Sequence, residues 1–113
     1  MRKRQHADLA GGRWARMDII EQMANVGSEV ERALNWRERG NAEYSRMAFK
    51  RALELLDLTL ECTRGYPRLK EVARAREALV DFFHGDNEYR STPESWRSYF
   101  GAFARAYAIQ HGR

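Results

Sequence analysis

Residues 41–62 read NAEYSRMAFKRALELLDLTLEC, and the spacing of their apolar side chains decides the fold class. Tyr44, Met47, Ala48, Phe49, Ala52, Leu53, Leu55, Leu56, Leu58 and Leu60 cover most of the circumference of a helix with 3.6 residues per turn. Glu43, Arg46, Lys50, Glu54, Asp57 and Glu61 leave a narrow polar strip. Asn41 is a good N-cap, because its side-chain oxygen can accept a backbone N–H that has no partner within the helix. A helix this apolar is either the most enclosed one in its fold or lends a face to a second subunit.

The same periodicity extends in both directions. Upstream, Ile19, Met23, Val26, Val30, Ala33 and Leu34 form one stripe of a helix from about Asp18, its N-cap, to Arg39, with Gly40 as its stop. Gly27 lies near the edge of that stripe. A mid-helix glycine costs about 1 kcal/mol relative to alanine, which predicts close approach by a neighbouring helix. Downstream, Gly65-Tyr66-Pro67 breaks the chain and starts a third helix that runs to about His84, with Pro67 in its first turn. Ser91 or Thr92 caps a fourth helix, and Glu94 stands at capping-box spacing from Ser91. The buried face of that helix is aromatic or small: Trp96, Tyr99, Phe100, Phe103, Ala104, Tyr107 and Ala108. None of the four segments reads as a strand. Short connections between four such helices predict an all-α, up-down-up-down antiparallel four-helix bundle.

The chain has 113 residues, 43% of them hydrophobic and 32% charged, within the range of one globular domain. Its net charge of +4 sits at one end. Residues 1–16 carry Arg2, Lys3, Arg4, Arg13 and Arg16 against Asp8, so the remainder, with equal numbers of basic and acidic groups, is neutral. The division is therefore a basic, flexible N-terminal arm over 1–16 and a bundle domain over 17–113. A neutral domain lacks the broad positive surface of a nucleic-acid binder, so contact with nucleic acid is expected only through the arm. The single Cys62 excludes an internal disulfide framework and a cysteine-rich zinc site. No apolar run has membrane-spanning length and the first residues carry no apolar leader, so a soluble, cytoplasmic protein is expected.

Polar residues at core positions are the informative ones. Arg76 falls within about 60° of Leu69, Val72, Ala73, Leu79, Val80 and Phe83 on the third helix, in the middle of the apolar stripe. A guanidinium there needs an anionic or carbonyl partner, or its tip must reach water along its stem. Glu29, on a polar shoulder of the first helix with Gln22, Asn25, Arg32 and Trp36, is the expected partner, and Arg51 is expected to join it. In the segment His84-Gly85-Asp86-Asn87-Glu88-Tyr89, His84, Asp86 and Glu88 offer ligand-type side chains. One-residue spacing on a loop without a second His or Cys set does not make a metal site, so no metal is expected. Asp86 and Asn87 are expected to cap backbone groups, or the acidic loop to receive an arginine. Asp81 is expected to face solvent or an interface. The chain shows no glycine-rich phosphate loop, no His pair at helical spacing and no activated nucleophile, and no cofactor is expected.

The strings Ile20-Glu21-Gln22-Met23-Ala24-Asn25-Val26-Gly27-Ser28-Glu29-Val30, Arg51-Ala52-Leu53-Glu54-Leu55-Leu56-Asp57-Leu58-Thr59 and Arg76 to Tyr89 resemble a family of small uncharacterised bacterial proteins without an established activity. The architecture is similar to the HEPN group and to the substrate-binding partner subunits of minimal nucleotidyltransferases, which implies a dimerising four-helix bundle. HEPN ribonucleases place an Arg shortly before a His in the third helical region. Here seven residues separate Arg76 from His84, a longer interval than that motif has. Two functions follow as expectations. One is a non-catalytic protein-interaction module that self-associates as a dimer or serves as an accessory subunit of a small nucleotidyltransferase. The other is a HEPN-like RNA-cleaving or nucleotide-binding protein using Arg76 and His84, with Glu29, Arg32, Arg51, Asp86, Asn87 and Glu88 as further binding candidates.

Overall fold

In a computed structural model, which describes residues 12–112, all the regular structure is helical. The elements are α1 (Trp14–Arg16), α2 (Ile19–Glu38), α3 (Ala42–Cys62), α4 (Tyr66–His84) and α5 (Pro93–Gln110). Local chemistry explains the ends. The Asp18 side chain accepts the Glu21 N–H and the Asn41 side chain accepts the Tyr44 N–H, both at 2.9 Å. Gly40 between α2 and α3 has φ +82°, a left-handed conformation that glycine adopts without steric cost. The capping box of α5 lies one residue later than the sequence predicts. Thr92 and Ser95 exchange reciprocal 2.9 Å bonds, and Pro93 supplies the first helical residue, where no N–H is needed.

The fifth helix, α1, is the element that periodicity does not announce, because a single turn is too short to show a stripe. Trp14 is nevertheless core, 1% exposed. Its indole N–H donates to Thr59 Oγ1 at 3.2 Å, and Gln22 Nε2 donates to the Trp14 carbonyl at 2.9 Å. Trp14, which precedes residue 17, thus packs into the helical core. Residues 1–11 of the arm expected over 1–16 lie outside the described residues.

α2 packs against α3 and α5, α3 packs against α4, and α1 closes on α3. The seams run in antiparallel register. Ser45 Oγ donates to the Ala33 carbonyl at 2.8 Å, and Arg51 meets Glu29 six residues further along α3 and four residues back along α2. On the other side of α2, Gly27 faces Phe100. A Cβ on Gly27 would stand 2.7 Å from that of Phe100, the close approach that the glycine predicts. Arg97 locks the same seam, reaching Glu31, Asn35 and Glu38 at 3.0 to 3.1 Å. α3 is the enclosed helix: Ala48, Ala52 and Leu56 are fully buried, and only its first turns show large apolar side chains, Tyr44 and Met47. Among the described residues no helix is long and apolar enough to cross a membrane.

Candidate functional site

Among the described residues α4 and α5 do not pack closely on each other. α4 is held mainly by α3 and α5 mainly by α2, which leaves a groove of about 530 Å³ between them. Its floor on α4 is small, Ala75 and Ala78, and its walls are the rings of Trp96, Tyr99 and Tyr89. Tyr99 spans the gap and donates its hydroxyl to Glu71 at 3.2 Å. Burial, with the Glu71 charge beside it, pushes that phenol well above its ordinary pKa. Tyr89 donates to Glu77 at 3.2 Å, and the Glu77 charge raises its pKa as well. Trp96 is 6% exposed and its indole N–H has no acceptor. An unmade buried hydrogen bond costs about 1–3 kcal/mol, so the burial of this ring carries a local cost.

The loop over 85–92 keeps the groove in shape, and its organiser is Asp81. That carboxylate, half-buried, accepts the N–H groups of Glu88 at 2.9 Å and Tyr89 at 3.0 Å, so beyond its exposed edge it anchors the loop. Asn87, at φ +55°, exchanges two 2.9 Å bonds with the Ser91 backbone, which is the capping expected of it. Asp86 and Glu88 are exposed, and among the described residues no arginine pairs with them. Among the described residues no three His, Cys, Asp or Glu side chains converge on a metal position.

The arginine network divides differently from the sequence expectation. Glu29 takes Arg32 at 2.8 Å and Arg51 at 3.3 Å, on the α2–α3 seam. Arg76 does not join them. Its Nε donates to Asp57 Oδ1 at 2.8 Å, on the α3–α4 seam. α4 packs on a different side of α3 from α2, so Glu29 lies out of its reach. Nor is Arg76 enclosed: both side chains of the pair are about one-third exposed, and its energetic worth is that of a surface pair, about 0–1 kcal/mol.

Asp57, which the spacing places on the polar strip, and Arg97, at a position with no sequence signal, are the partners that sequence reasoning misses. Register could have found Asp57. Phe49 faces Phe83 and His84, and moving eight residues on along α3 and eight back along α4 from the Phe49–His84 pair gives Asp57 against Arg76.

Arg76 and His84 do not share a cleft. Eight residues of helix separate them by about 12 Å along the axis. Arg76 is held by Asp57, while the His84 ring lies 5.1 Å from that of Phe49. His84 instead borders a second hollow of about 330 Å³ where the C-terminal ends of α2 and α4 meet the start of α3, together with Arg37, Arg46, Phe49 and Phe83.

No protein-family model matches the chain, and no curated protein or solved structure is significantly similar to it. The functional reading rests on the chain's own geometry.

Proposed function

We propose that the protein is a non-catalytic helical interaction module that self-associates as a dimer through the α4–α5 groove. The antiparallel registers of α2 to α5 support a four-helix up-down frame for that module, with α1 as an added buttress. The observation that carries the reading is an aromatic-walled groove, left open between two helices over a floor of small residues. Aromatic anchors flanking a small-residue floor are the composition of an interface centre.

A second copy of the chain is the occupant that the rim charges favour. Arg74 lies on the rim, with Glu71 three residues before it and Glu77 three residues after. A two-fold axis through such a rim sets a base of one protomer against an acid of the other, the self-complementarity that an isologous contact needs. The separation of Arg76 from His84, with Arg76 already paired, leaves the HEPN-like reading without a shared centre for the two residues it invokes.

The test is the mass of the full-length protein in sedimentation, compared with Ala78→Glu. A glutamate on the groove floor blocks docking, while Arg74, one turn earlier, gives it an i,i+4 partner that preserves the helix. A dimer for the parent and a monomer of equal helicity for the variant are expected. A parent that stays monomeric, or a variant that dimerises equally well, overturns the proposal. A purified small nucleotidyltransferase that bound a monomeric parent and lost the variant would replace the second copy as occupant.

A further inference from the structure

The hollow beside His84 combines features that the α4–α5 groove lacks. Three elements each contribute a basic or imidazole side chain to it: Arg37 from the last turn of α2, Arg46 from the start of α3 and His84 from the end of α4. None of the three forms an ion pair among the described residues, whereas Arg32, Arg51, Arg76 and Arg97 all do.

Arg37 is also positioned. Its guanidinium carbon stands 4.6 Å over the Phe82 ring and 5.6 Å from that of Phe83. A cation–π contact engages the flat face of a guanidinium and leaves its in-plane N–H fork free to donate. His84 is fixed in a comparable way, its ring edge-on to Phe49, which in turn packs against Phe83 at 4.7 Å. The aromatic cluster therefore holds two cationic or donor groups at the mouth of a hollow, and Arg46 closes the third side.

We infer that this hollow is a phosphate-binding site for a small phosphomonoester. A guanidinium fork matches the oxygen pairs of a phosphoryl group, and two arginines with an imidazole supply enough donors to hold its three terminal oxygens. Ala42, at the first turn of α3, lines the same hollow, so the positive end of that helix offsets part of the negative field from the ends of α2 and α4, and the arginines supply the net attraction. The volume, about 330 Å³, exceeds that of a bare phosphate, and the Phe83 and His84 rings offer an apolar flank to whatever carries the phosphoryl group. The site is independent of the dimer proposal, because it uses no residue of the α4–α5 groove.

The experiment is a titration of the full chain, followed by amide and imidazole NMR shifts. Inorganic phosphate and a nucleoside monophosphate are added separately, with chloride at matched ionic strength as the control. Saturable shifts at His84 and around Arg37 and Phe83 are expected with both phosphates. Arg46→Ala, at an exposed and unpaired position, is expected to leave helicity intact and weaken binding about tenfold or more. Tighter binding of the nucleoside monophosphate assigns the apolar flank to the rest of the ligand, and equal binding assigns the site to the phosphoryl group alone. Linear, non-saturating shifts up to about 10 mM, or binding unchanged in both Arg46→Ala and Arg37→Ala, would overturn the inference.

Discussion

The α2–α3 seam and the α4–α5 side are both helix–helix boundaries in one small domain, yet one is closed and the other open. At the first, alanines meet: Ala33, Ala48 and Ala52 are fully buried, and Ser45 donates to a main-chain carbonyl of the opposite helix. Small side chains let the axes approach until backbone becomes an acceptor, and α1 then seals one end with Trp14. At the second, α4 presents Ala75 and Ala78 to large rings on α5 and the loop, but the helices stay apart and the Tyr99 hydroxyl reaches across the gap to Glu71. Small residues close a seam only where the facing helix is also small, or where a glycine admits the ring, as Gly27 admits Phe100. Large against small without such a notch leaves a groove. Stability is therefore concentrated on the α1–α2–α3 side, and capacity for binding on the other.

The largest effect expected is on the closed side. Trp14→Ala removes a fully buried indole and orphans the Thr59 interaction, with an expected loss of about 3–5 kcal/mol in chemical denaturation. A loss near zero would mean that α1 is a surface turn and that the contrast between the two sides is false. Next comes the notch itself. Gly27→Ala gains helix propensity but drives a methyl into Phe100, and overpacking of this kind costs about 1–3 kcal/mol. A stabilised variant would show that the α2–α5 seam has slack.

The smallest effect is on the open side and depends on pH. Because the folded-state pKa of Tyr99 is raised, the neutral phenol contributes stability that is fully present below about pH 10 and is lost as pH rises beyond it. Tyr99→Phe is expected to change stability little at neutral pH and to make the alkaline fall shallower, with Tyr89 keeping part of it. Urea midpoints measured from neutral pH upward check this, and parallel curves for parent and variant would remove Tyr99 from the account.

The long helices were legible because their causes are local. Apolar residues three and four apart, Asp18 and Asn41 as caps and the Gly65-Tyr66-Pro67 break act within a turn or two, and all reappear in the structure. Asn87 as a capping residue was legible for the same reason. α1 was not, since one turn offers no period, and neither was Asp81, whose bonds to the 88–89 backbone require the chain to double back over it. The ion pairs were half legible. Glu29 with Arg51 follows from two polar side chains at the edges of adjacent stripes, but the partner of Arg76 depends on which side of α3 the next helix takes.

Sequence alone determined that this chain is helical, where the first three of its long helices begin and end, and that Gly27 needed a close neighbour, because hydrogen bonding within a turn and apolar spacing are properties of consecutive residues. Only the tertiary structure decided that Asp57 rather than Glu29 meets Arg76, that Arg37, Arg46 and His84 converge on one hollow, and that the α4–α5 side stays open. Those outcomes depend on the register and distance between helices, which the packing of side chains far apart in the chain sets all at once.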